Sequence, residues 1–242
     1  MLIRTTALTL GVAVAATSNA DVIDFAPTVA QTIRSNVPDT NFSSGSQMIV
    51  GAINTASSEQ LFRGAISFDV SQIAAAIPVG STVNSVTLEL IVQAGDSSSV
   101  GGSQSFQIHE LTETPTDQVT WNSFDTGSTW TTPGGDFVAT PLATESFDIS
   151  TAAANVSLLF ASTTSLVDLI QSAVDAGTPV DIVAIAPGVE AGTVRNIVRW
   201  GGDAGLGSQD PVLTVDFTPI PEPASALLAG VGLALMAVRR RG

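Results

Sequence analysis

The residues that could do chemistry are few and widely spaced. Phe124-Asp125-Thr126-Gly127-Ser128 sets a carboxylate in a tight turn. Two carboxylates sharing one proton would make such a turn hydrolytic, so a partner is essential. No second Asp-Thr-Gly or Asp-Ser-Gly exists. His109 is the single histidine, and its strand phase opposite Phe106 and Ile108 reads as a solvated or hydrogen-bonded surface position. Without a second histidine or any cysteine, zinc is a poor fit. No serine stands in the glycine-flanked nucleophile pattern of the hydrolases. Tryptophans can form flat platforms for sugar rings. Trp121 and Trp200 adjoin apolar strand positions, which favours core burial, with Trp121 retained as a second sugar-stacking candidate. Trp130, among Thr, Ser and Gly, is the better surface platform. Asp203 and Asp210 flank a glycine-rich loop, and Asp136 follows Gly134-Gly135. Such loops can bind calcium through carboxylates and backbone carbonyls, or be ordinary aspartate turns. Asp203 and Asp210 are the calcium candidates.

These residues must be positioned by short extended elements. Val22–Phe25, Ala30–Arg34 and Gln47–Ile53 read as strands, and Leu61–Val70 alternates clearly. In Thr82–Gln93, Val86, Leu88, Leu90 and Val92 face one way and Thr87, Glu89 and Gln93 the other. The Gly95–Gly102 cluster predicts a hairpin from this strand into Gln104–Leu111. Further strands are expected at Glu145–Ile149, Val180–Ala186, Thr193–Trp200 and Pro211–Phe217. Ser71–Ile77 suits one helical turn. A single amphipathic helix is predicted at Ser165–Ala176, capped by Thr164 or Ser165 and ended by Gly177 and Pro179. The pattern predicts an all-β fold: a β-sandwich, jelly-roll-like, with one short helix.

Charge narrows the partners. Between Asp21 and Ile220 there are 21 acidic residues and four arginines, a formal charge of −17, and the chain has no lysine. Such a surface repels phosphate backbones, so nucleic acid is excluded as a natural partner. The absence of cysteine removes disulfides and thiol chemistry.

The two ends read as addresses. Met1–Ala20 has Arg4, an apolar run and Ser18-Asn19-Ala20, the pattern of a secretory signal peptide read by signal peptidase. Residues 218–242 carry Pro221-Glu222-Pro223, the uncharged run Ala224–Val238 and Arg239-Arg240-Arg241. As a helix the run would span roughly 22 Å, enough for a single short transmembrane segment with its arginines held in the cytoplasm. This tail resembles the PEP-CTERM sorting signal of exported bacterial proteins. The resemblance implies transient inner-membrane anchoring and processing by an exosortase. The destination it implies is the cell surface or extracellular matrix of a Gram-negative-type bacterium.

The body between the ends, residues 21–217, carries a second resemblance. Arg63–Ser71, Val83–Leu90, Val119-Thr120-Trp121-Asn122 with Trp130, Gly134 and Gly135, and Asp210–Phe217 fall in the order and spacing of the DNRLRE family. The resemblance implies a β-sandwich of surface and secreted bacterial proteins, some of whose relatives are carbohydrate-binding modules for acidic polysaccharides. With four arginines in the body, a polyanionic sugar would call for a bridging cation. The expected function is therefore a non-catalytic, exported protein with a structural or adhesive role. A carbohydrate-binding module attached to extracellular polysaccharide is the first alternative, and a polysaccharide hydrolase or lyase the second. No cofactor is implied beyond calcium.

Overall fold

The computed structural model describes residues 19–55, 58–96, 98–203 and 209–220. The signal peptide, save Asn19 and Ala20, and the Pro221-Glu222-Pro223 tail with its apolar run and arginines lie outside the described residues. No described helix is long and apolar enough to cross a membrane.

The body is all-β, built on one curled antiparallel sheet. Its strands are β1 (Asp21–Phe25), β2 (Val29–Arg34), β3 (Gln47–Thr55), β4 (Ser58–Phe68), β5 (Thr82–Ala94), β6 (Ser103–Glu110), β9 (Ala143–Asp148), β10 (Ser157–Phe160), β11 (Val180–Ile185), β12 (Arg195–Gly201) and β13 (Val212–Thr218). The main hydrogen-bonded order is β1-β13-β5-β12-β3-β4-β11-β6-β9, with β10 added to β5 and β2 to β4. A separate small ribbon joins β7 (Ser123–Asp125) to β8 (Ser128–Thr129). The alternation read in the longest strand holds: Val86, Leu88, Leu90 and Val92 are fully buried. They meet Leu166, Ile170 and Val174 of the amphipathic helix in the main core.

That helix, α2, covers Thr164–Ala176. Its cap lies one residue before the expected pair: the Thr163 hydroxyl accepts from the Leu166 N–H. The other end stops as expected at Gly177, which takes the left-handed conformation with φ 64°. Two shorter helices accompany it: one where Ser71–Ile77 suited a helical turn, and one that was not expected. α1 (Val70–Ala76) starts on an Asp69 cap, and α3 (Pro187–Glu190) is a single turn begun by proline. A four-residue turn has no periodicity to reveal it.

The expected hairpin between β5 and β6 does not form. β5 pairs with β10, β12 and β13, whereas β6 pairs with β11 and β9. The glycine-rich connection instead straps across β12. The Val100 N–H donates to the Arg195 carbonyl, the Gly101 N–H to the Asn196 side chain, and the Ile197 N–H to the Ser99 hydroxyl. Asp96 takes a salt bridge from Arg195 at 2.5 Å. Glycine clusters permit reversal but do not choose the neighbouring strand; buried faces do.

The central strands β2, β4 and β11 are covered on both sides. Ile66, Phe68, Val180 and Ile182 face the main core. Ile33, Ala65, Val183 and Ile185 face a second, smaller core with Leu111, Val119, Trp121 and Trp130. The polar segment 112–142 closes this second core like a cover plate.

Candidate functional site

Trp130 does not stand on the surface. It is 4% exposed, and its indole N–H donates to the Thr120 carbonyl at 3.1 Å. Phe124 lies 5.3 Å from it, ring centre to ring centre. Trp121 is 8% exposed, and Trp200 is fully buried against Phe106 and Phe147. Core burial was expected for Trp121 and Trp200; for Trp130 the expectation is corrected, and with it the pair of sugar-stacking platforms. The physical reason is the second core. Hydroxyl and glycine neighbours in sequence made Trp130 look solvated, but β7 and β8 fold it back onto Val119 and Ile33.

His109 is corrected in the same way. It is 3% exposed, with Nδ1 at 2.8 Å from the Val138 carbonyl and Nε2 at 3.2 Å from the Gln107 side-chain oxygen. Phe137 packs on the ring at 5.0 Å. The cover segment buries what strand phase had placed outward. Asp125 accepts from the Thr116 hydroxyl at 2.7 Å and is a turn residue of the β7–β8 ribbon. Asp136 holds the Thr131 and Thr132 N–H groups at 2.6 and 2.7 Å. Partial burial works against its charged form, but these donors outweigh it and hold its pKa below the ordinary carboxylate range.

The knot that fastens the cover is Arg63, on β4. Its Nε and Nη2 form a fork onto the two Glu190 oxygens at 3.1 and 2.7 Å, and Nη1 donates to the Gly134 carbonyl at 3.0 Å. The guanidinium also lies over Trp121 and Phe137, 5.1 and 5.5 Å from their ring centres. Gly134 itself has φ +95°, and a Cβ there would come within 2.7 Å of the Trp121 ring. Asp181, on β11, adds a second stitch by accepting from Ser67 and from Thr114 of the cover. Burial pushes its pKa up, against the pull of those two hydroxyls.

Asp203 and Asp210 do approach one another. Burial raises the pKa of Asp203 and repulsion from Asp210 adds to it; burial also raises that of Asp210. Asp203 Oδ2 accepts from the Ala30 N–H at 2.9 Å, which ties the start of the loop to β2. Asp210 Oδ1 is buried without a partner. Among the described residues, no three acidic or histidine groups converge as a metal centre would require.

Sequence reasoning passed over Arg34. It ends β2 opposite Phe62 of β4, and its guanidinium stands near two rings, 5.1 Å from the centre of Phe42 and 4.8 Å from that of Phe62. It borders an open cavity of about 360 Å³ that also touches Ser44, Ser46 and Gln47. Burial lowers its pKa, yet an arginine remains charged at neutral pH. Nothing in the sequence pointed to it, since 21 acidic residues against four arginines in the body leave an acid for every arginine. Which arginine goes without is settled only by packing.

No protein-family model matches this chain, and no curated protein matches it in sequence.

Proposed function

We propose that the chain is a non-catalytic, exported protein, sorted through a PEP-CTERM-type tail to the cell surface or matrix, where a DNRLRE-like sandwich, jelly-roll-like in layout, has a structural or adhesive role. The carrying observation is the tail: Pro221-Glu222-Pro223, a charge-free run and Arg239-Arg240-Arg241 in that order. The fold supports the reading at one point. β1 pairs with β13 so that Asp21 lies opposite Phe217, which brings both processing junctions to one end of the body. Neighbouring attachment points suit a leader and a tail that both engage the inner membrane. Signal peptidase, exosortase and transiently the inner membrane are the processing partners of this reading.

Calcium has a subsidiary place in the proposal. Asp203 and the unpartnered oxygen of Asp210 would supply hard oxygen ligands, with backbone carbonyls for the rest. Its role would be to relieve repulsion in the acidic body, not to take part in a reaction.

The test is to express the full chain in a host with an exosortase. Mass spectrometry of the matrix fraction should find chains without Arg239–Arg241. Replacing Pro221, Glu222 and Pro223 by alanine should leave full-length protein in the inner membrane. Intact C-termini in the matrix would reject the sorting reading.

A further inference from the structure

Eight asparagines stand in the chain, and two of them open an Asn-X-Ser triplet: Asn41-Phe42-Ser43 and Asn155-Val156-Ser157. In an exported protein this spacing is the acceptor pattern for an N-linked glycan. So short a triplet also arises by chance, and the state of each amide decides between them. The reaction takes one hydrogen from the asparagine Nδ2 and leaves a bulky polar group in its place.

At Asn41 that nitrogen is already engaged. It donates to the Asp117 carbonyl at 2.7 Å, to the Val119 carbonyl at 3.0 Å and to the Gln31 side-chain oxygen at 3.3 Å. Asp117 and Val119 belong to the cover, and Gln31 belongs to β2, where it is buried. The Asn41 Oδ1 accepts from the Ser43 N–H at 2.9 Å. A glycan here would leave one hydrogen for three acceptors and would stand where the cover meets the loop after β2. Attached before folding, it would keep the cover from seating; attached afterwards, it would have to prise the cover open.

Asn155 is the reverse case. It is exposed, in the turn that leads into β10. Its φ of 69° is left-handed, a conformation that asparagine tolerates better than most residues. The turn is fixed to β5: the Asn155 N–H donates to the Val92 carbonyl at 2.8 Å, and the Val156 carbonyl accepts from the Val92 N–H at 2.7 Å. The side-chain oxygen accepts from the Gln209 amide at 2.9 Å. The Nδ2 makes no hydrogen bond among the described residues, so the amide is held by its oxygen and offers its nitrogen. Ser157 is exposed as well, and its hydroxyl has no partner among the described residues.

The surroundings accept the added bulk. Among the described strands β10 pairs with β5 alone, which makes it an edge. Val156 and Leu159 beside it are 36% and 52% exposed. An edge with bared apolar side chains invites pairing with another chain, and a hydrated glycan on Asn155 would cover it.

We propose that Asn155 is the acceptor of an N-linked glycan and that Asn41 is not. The Nδ2 attacks C1 of the first sugar of a polyprenyl-pyrophosphate-linked oligosaccharide. The N–C1 bond forms as the C1–O bond breaks, polyprenyl pyrophosphate leaves, and one amide proton passes to a base of the transferase. Nothing is oxidised or reduced. The assignment rests on the exported reading, because the transfer takes place on the far side of the inner membrane, but it needs neither Pro221-Glu222-Pro223 nor the processing of the tail.

The test is peptide mapping of the full chain recovered from the envelope and matrix of the cells that make it. Cleavage after glutamate places the two triplets in separate fragments, 21–59 and 146–190. Fragment 146–190 is expected to carry a mass increment of whole saccharide units, and fragment 21–59 none. Asn155→Gln should lower the occupancy of 146–190 at least tenfold. Because the left-handed turn favours asparagine, two further variants leave Asn155 in place: Ser157→Ala should lower occupancy at least tenfold, and Ser157→Thr should retain it. A chain that begins at Asp21 with 146–190 unmodified overturns this proposal alone. A chain that keeps Met1–Ala20 overturns the exported reading and this proposal with it. Sugar on Asn41, or undiminished occupancy in Ser157→Ala, also overturns the assignment.

Discussion

Exchanging Glu190 for alanine leaves the Arg63 guanidinium with one hydrogen bond, to the Gly134 carbonyl, and no counter-charge. The two side chains are 15% and 12% exposed, so water replaces little of what is lost. Removing one partner of a buried pair costs about 3–5 kcal/mol, because the remaining charge stays desolvated. Arg63→Met should cost a similar amount: it orphans the Glu190 carboxylate and the Gly134 carbonyl, although the aliphatic replacement still fills the space beneath Trp121. In the double variant neither charge is left behind. Its loss should therefore fall short of the sum of the single losses by about 2 kcal/mol or more, within the coupling range for contacting residues. Urea unfolding of the full chain, followed by far-ultraviolet circular dichroism, measures the three losses. Tryptophan fluorescence adds a local view, since Trp121 lies directly over the guanidinium. Losses that add to within about 0.5 kcal/mol would refute the knot, and the cover would then be held by its apolar contacts and by stitches such as that of Thr114 to Asp181.

Trp130→Ala should cost about 3–5 kcal/mol, as emptying a large buried aromatic site does, and a loss near zero in urea unfolding would return Trp130 to the surface. Stability should also depend on pH in a sense opposite to simple acid denaturation. Burial raises the pKa values of Asp181, Asp203 and Asp210, so between the ordinary value of 3.8 and their native values the folded state holds more protons than the unfolded chain. Stability then falls as pH rises through that interval. Asp96 and Asp136 act the other way. For Asp96, burial opposes its charge, but the Ser98 N–H and Arg195 prevail and hold its pKa down, so the stability these two contribute is lost as pH falls below the ordinary value of 3.8. The urea midpoint should thus rise as pH is lowered from neutrality toward the ordinary carboxylate value of 3.8 and fall again below it, and a midpoint that falls steadily all the way down would contradict the assignment.

Local pattern carried much of the fold. The alternation of Val86, Leu88, Leu90 and Val92 and the stripe of Leu166, Ile170 and Val174 each report a face that must be buried, and strand and helix follow from period alone. Gly177 was equally legible, because a left-handed residue after a helix strongly favours glycine. The composition likewise determined the charge and excluded thiol chemistry. Partners were not legible. Whether β5 pairs with β6 or with β12 is decided by which apolar faces meet, and the partners in β12, such as Trp200 opposite Val92, lie far away in sequence. The tryptophans show the same limit: Trp130 has polar neighbours in sequence and apolar neighbours in space, because the cover folds over a sheet already buried on its other side. Arg34 is the sharpest case. Its type is plain from the sequence, but that it has no acid partner among the described residues follows from packing, in which Asp39 turns to Asn122 and the Phe42 and Phe62 rings stand near the guanidinium. A residue's chemistry is written in its side chain; whether that chemistry is satisfied depends on neighbours that only the tertiary fold brings into reach.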